Sequence, residues 1–155
     1  MARIAEQGEH SRMVATRAFS YLFCAKRPLT IDELLHALSV ETDDTELCED
    51  ALPDIPFILG ASAGLVRVDM ESRSASLVHH SLREYLEKRP NGLLPQPEFE
   101  MARTCLTYMA FDEFDSGPCA DGESLDRRLQ KNRFLDYACH HWASHFREHH
   151  DGGGN

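Results

Sequence analysis

A mainly helical fold carrying one small β-hairpin is predicted by three observations. Apolar residues recur at helical spacing in several separate stretches. Two short β-prone runs, near 64–70 and 75–78, flank a polar turn at 71–74. The second run hands over to an amphipathic helix at a histidine, within Leu77-Val78-His79-His80-Ser81-Leu82-Arg83-Glu84-Tyr85-Leu86. Helices, then a hairpin, then a helix opened by a histidine is the layout of a winged helix. After residue 97 the pattern is again purely helical, which predicts a helical extension.

The first helix is expected over about 12–25, with Ala15, Ala18, Phe19 and Leu22 at helical spacing. Pro28 closes the segment, because the residue before a proline is pushed out of helical geometry. The second helix is well marked. Thr30 and Glu33 form a capping box, Leu29 and Leu34 stand at hydrophobic-staple positions, and Ile31, Leu34, Leu35 and Leu38 make one apolar face. Residues 41–50 read as an acidic loop with a helical turn. A third helix begins near Asp54, with Pro56 tolerated in its first turn. Ser81 and Glu84 offer another S-x-x-E box, opening a helix that runs to Lys88.

The expected organisation is a winged helix over 12–89, a linker over 90–97, a helical extension over 98–149 and a flexible tail over 150–155. Pro90, Pro95 and Pro97 stiffen the linker. In the extension, Phe99, Ala102, Leu106 and Met109 share one helical face, a charged helix covers about 125–131, and Leu135, Ala138, Trp142 and Phe146 line the last helix.

Composition narrows the function. The 155 residues suit one domain with an extension or two small ones. Hydrophobic content of 42% and charged content of 27% are those of an ordinary globular protein. A net charge of -10 argues against nucleic-acid binding, which needs a local excess of lysine and arginine. No apolar stretch approaches the ~20 residues of a membrane span, and residues 1–11 lack the apolar centre of a secretory signal. Five cysteines without a C-x-x-C pair fit a reducing compartment, with Cys24, Cys105 and Cys139 acting as small hydrophobes in helices. The expected location is cytoplasmic.

Several segments in series resemble fungal NACHT proteins of the STAND class, nucleotide switches that often carry ankyrin or other repeats. The matching residues are Ala25 to Thr30 and on to Glu41, Ala63 to Asp69, Leu77 to Leu86, Cys105 to Phe111, and Tyr137 to Phe146. They span about 12–147 in the right order. In that family the segment follows the NTPase core and precedes the repeats, and its first part is similar to the GPI inositol-deacylase winged helix. No lipase chemistry is implied, since no G-x-S-x-G elbow occurs.

The resemblance gives His79 a role. Val78-His79-His80 is similar to the Met-His-Asp motif of plant immune receptors, whose histidine approaches the β-phosphate of ADP in the closed state; His80 stands in place of the aspartate. An imidazole at the positive end of a helix suits an anion. The blander reading is a histidine that caps a strand–helix junction. The chain has no G-x-x-x-x-G-K-[ST] loop, so no cofactor is expected in it; ADP or ATP is implied only for a longer family member.

The rival readings are weaker. The helix near 54–62 would be the recognition helix of a DNA binder, yet it holds no lysine or arginine, and Arg67 and Arg73 on the wing do not make a surface. His140, His141, His145 and His149 could converge on a metal only with a further ligand, so a solvated helix face is expected and no metal site is assigned. Glu49-Asp50, Asp112-Glu113 and Asp115 read as solvated acidic loops. No catalytic arrangement is identifiable. The expectation is a non-catalytic regulatory module, partnered by the NACHT core and repeats of a longer chain, with no nucleic acid and no membrane. A stand-alone protein-interaction module is the alternative.

Overall fold

The computed structural model describes residues 8–88, 94 and 96–152. Helix α1 spans Glu9–Cys24 and buries Val14, Ala15, Ala18, Phe19, Tyr21 and Leu22. It begins three residues before the expected start. Strand β1, Leu29–Thr30, follows the bend at Lys26-Arg27-Pro28 and leads directly into α2, Ile31–Ser39. The Thr30 capping box forms in full: Glu33 N–H donates to Thr30 Oγ1 at 3.1 Å, and Thr30 N–H donates to Glu33 Oε2 at 2.8 Å. At the other end of α2 the Arg17 guanidinium donates to the carbonyls of Leu38 (3.0 Å), Ala37 and Val40. A side chain from α1 thereby satisfies the carbonyls that a helix C-terminus leaves without partners.

A single 3₁₀ turn at Glu49–Ala51 interrupts the acidic loop. Helix α3, Ile55–Ala61, is capped by Asp54, whose Oδ1 accepts the Phe57 N–H at 2.7 Å. Strands β2, Val66–Asp69, and β3, Ser74–Leu77, form the wing. Its turn is held by Asp69 Oδ1, which accepts the N–H groups of Glu71 (2.9 Å) and Ser72 (3.2 Å). The sheet has three strands in the order β1-β3-β2, both pairs antiparallel, with Leu29 opposite Ala75 and Val66 opposite Leu77. The third strand is an addition to the expected hairpin. Two residues are too few to show alternation, so β1 has no sequence signal.

Helix α4, His80–Glu87, starts earlier than the Ser81 box implied, with His79 at the N-cap and no side-chain capping bond. Ser81 therefore lies inside the helix, and Glu84 pairs instead with His80 at 3.2 Å. Most of the expected linker over 90–97 falls outside the described residues, while Pro97 itself opens α5, Pro97–Met109. A 3₁₀ segment at Asp112–Ser116 leads to α6, Gly122–Lys131, capped by Asp121 and Ser124. The last helix, α7, Leu135–Gly152, carries on over 150–152, where a tail was expected; 153–155 lie outside the described residues.

Two expected faces are corrected in part: Ala102 of α5 and Leu135 and Ala138 of α7 are buried as expected. In α5, Phe99 (39% exposed) and Leu106 (42%) face outward, while Met101, Cys105 and Tyr108 are buried alongside Ala102. In α7, Trp142 (36%) and Phe146 (44%) are exposed, and Tyr137, Ala138 and His145 (0%) point inward. Both helices carry apolar residues on two faces, and packing selects between them. α5 lies between α1 and α7, so Met101, Cys105 and Tyr108 join Phe19, Tyr21, Phe134 and Tyr137 in one contiguous core.

Candidate functional site

The end of α1, strands β1 and β3 and the start of α4 enclose a cleft of about 490 Å³. Its polar lining includes Lys26, Arg27, His79, His80 and Arg83. The ladder fixes His79: Val78 N–H donates to the Leu65 carbonyl at 3.0 Å, which carries the pairing one residue past β3. The His79 carbonyl then accepts the Leu82 N–H at 3.0 Å and starts α4. His79 is exposed, as is His80 beside it. An imidazole thus stands at the positive end of a helix, on a cleft with three cationic side chains, in a chain of net charge -10.

Each of these cations already meets a carboxylate. Lys26 Nζ lies 2.8 Å from Glu98 Oε1 and 2.7 Å from Glu148 Oε2. Partial burial works against its charge, but the hydrogen bonds to Glu148 and Glu98 outweigh that and hold the ammonium above its ordinary pKa. Arg27 makes a two-pronged pair with Glu33, at 2.8 and 2.6 Å, and reaches Asp136 at 3.4 Å. The Glu33 bonds hold its pKa up. Its guanidinium also lies over the Tyr137 ring, 5.1 Å from the centroid. Arg83 sits over Phe23 at 5.1 Å and pairs with Glu87 at 3.5 Å. Nothing in the cleft resembles a nucleophile with its base.

Two of these cations connect the cleft to the extension, since Glu148 and Asp136 belong to α7 and Glu98 to α5. Behind them lies a buried polar network. Lys26 N–H donates to the Tyr137 hydroxyl at 3.0 Å, and that hydroxyl lies 2.8 Å from His145 Nε2. His145 Nδ1 makes a short hydrogen bond with Glu98 Oε2. Burial raises the Glu98 pKa, but the bonds to His145 and Lys26 dominate and bring it below the usual carboxylate value. Cys24 Sγ, with its pKa pushed up by burial, sits against the Pro97 carbonyl at 3.6 Å. Donor atoms of Cys24, Glu98 and His145 all lie within 4.8 Å of one another.

The solvated histidine face is therefore corrected at His145. His140 bonds the Asp136 carbonyl at 2.8 Å, His141 lies against Tyr137, and His149 lies against Phe99, while His145 turns into the protein. Sequence reasoning missed this network because its members come from three segments far apart in the chain. The one available signal was the spacing of Tyr137 and His145, i and i+8, about two turns apart on one helix. The acidic 49–50 and 112–115 segments are exposed, apart from the half-buried Phe114.

Three helices, a small three-stranded sheet with a two-strand wing, and a helix after the wing define a winged helix, here continued by a helical extension. The chain belongs to the family described as GPI inositol-deacylase, winged helix domain, whose model matches residues 2–102. That span ends inside α5 and contains the whole wing and His79. Searches of curated proteins and of solved structures found no match. No described helix is long and apolar enough to cross a membrane.

Proposed function

We propose that this chain is the non-catalytic regulatory arm of a NACHT-type STAND NTPase, coupling the nucleotide state of an adjoining core to C-terminal repeats. The observation that carries the reading is the position of His79, exposed at the N-cap of α4 on a cleft lined by Lys26, Arg27 and Arg83. In the ADP state the imidazole would meet the β-phosphate held by the core, and exchange would release it. A switch needs a contact that differs between two states, and this one does. The ADP or ATP belongs to the longer protein, whose phosphate loop would lie in another domain. The partners are the core and repeats of that protein, in the cytoplasm.

DNA is a poorer ligand for this surface. Helix α3 carries no lysine or arginine, and Arg73 of the wing is already beside Asp32 at 3.3 Å. The second reading, a protein-interaction module working without a nucleotide, is favoured by the same uncharged α3.

The test begins with the native transcript, read 5′ of the Met1 codon. An in-frame phosphate-loop domain is expected there. In that longer protein His79→Ala should lower co-purifying ADP several-fold and raise basal assembly. Unchanged ADP content and unchanged assembly would remove the sensor role, and a transcript with no NTPase would leave the interaction module.

A further inference from the structure

We propose that Cys24, Glu98 and His145 form a site for one zinc-type divalent ion, which staples the helical extension to the winged helix. The proposal is independent of the role given to His79. The three residues come from the last turn of α1, the first turn of α5 and the second half of α7. Cys24 and His145 are buried and Glu98 is partly open, so the ion would keep one side toward solvent. Thiolate, imidazole and carboxylate are the ligand types of zinc sites, and a set with three protein ligands leaves the fourth position to water. A thiolate beside an imidazole selects against magnesium and calcium.

The geometry needs a small rearrangement: the Cys24 sulfur draws in, while His145 Nδ1 and Glu98 Oε2, now hydrogen-bonded, move apart. The three donor atoms lie within 4.8 Å of one another, and tetrahedral zinc with ordinary bond lengths sets them about 3.4–3.6 Å apart. The ion would take the place of the hydrogen between His145 Nδ1 and Glu98 Oε2. Cys24 would lose its thiol proton to solvent, and His145 would keep one proton, on Nε2. Outer partners are already in place. Nε2 faces the Tyr137 hydroxyl at 2.8 Å, and Lys26 occupies the other Glu98 oxygen, Oε1, at 2.8 Å. The charges also balance: a dication is neutralised by the thiolate and Glu98, and Lys26 by Glu148. The buried site therefore carries no net charge, which avoids the main cost of burying an ion.

The competing account is a closed hydrogen-bond network that binds no ion. The 155-residue chain, stripped with a chelator, is titrated with cobalt(II) and then zinc. One equivalent of cobalt should give a thiolate-to-metal charge-transfer band and intense tetrahedral d–d absorption, both bleached by one equivalent of zinc. Cys24→Ala and Glu98→Gln should each weaken zinc binding by about 100-fold or more, at least what loss of an outer partner costs. Cys139→Ser and His149→Gln, which alter residues outside the cluster, should leave the spectrum unchanged. Zinc should also raise the melting temperature of the unaltered chain, a readout that does not depend on any variant folding. Absence of the band, its survival in Cys24→Ala, or an unchanged melting temperature would overturn the site.

Discussion

His36 shows how one buried polar residue makes stability depend on pH. It lies on the inner face of α2, with Nδ1 2.8 Å from the Tyr108 hydroxyl of α5. Burial lowers its pKa, and Arg133 adds to this, while Asp32 and Glu49 act the other way. A histidine with a depressed folded pKa binds fewer protons folded than unfolded. Its contribution is present above the unfolded value, about 6.5, and is lost as pH falls toward the folded one. We expect the urea midpoint to drop between pH 7.5 and 5. His36→Gln, which can still bond Tyr108, should flatten that drop. An equally steep drop in the variant would place the titration elsewhere. Cys105 shows the same effect of burial on a thiol, its pKa pushed up to about 12, which makes it inert.

At the scale of the element, capping and packing separate cleanly. The Thr30–Glu33 box, the Asp54 cap and the Asp121–Ser124 box set where α2, α3 and α6 begin, and such caps are local chemistry. The buried face of α5 is a matter of what surrounds it. Met101→Ala should cost about 2–5 kcal/mol by opening a cavity between α1 and α7. Leu106→Ala, on the exposed face, should fall within about 1 kcal/mol of the parent. Urea denaturation of both variants measures this directly. A reversed order would mean that α5 packs by the face carrying Phe99 and Leu106.

For the whole molecule, the question is whether the winged helix and the extension are separate units. The Tyr21 hydroxyl meets Thr104 of α5 at 2.8 Å, Tyr137 accepts from Lys26, and one core runs through both parts. We therefore propose a single cooperative fold. Far-ultraviolet and near-ultraviolet circular dichroism should report coincident urea transitions. A chain ending at residue 96 should lack a cooperative transition, because it leaves the buried faces of α1 and α2 uncovered. Cooperative folding of that truncated chain would make 98–149 a true appendage. The same continuity gives the cleft a mechanical link to α7 through Lys26 and Arg27.

What residues within a few positions of one another decide was legible in the sequence. The Thr30–Glu33 capping box, the turn of the wing, the inward face of α1 and the placement of His79 at a strand–helix junction all depend on local spacing. Where two local signals competed, the expectation failed in part: Ser81 lost the N-cap to His79, and Phe99, Leu106, Trp142 and Phe146 turned outward while Met101, Cys105, Tyr108 and Tyr137 were buried. Tertiary structure alone decided those faces, the pairing of β1 with β3, and the meeting of Cys24, Lys26, Glu98, Tyr137 and His145. Such contacts join segments far apart in the chain, and their energy comes from burial and closure among partners that no local window contains.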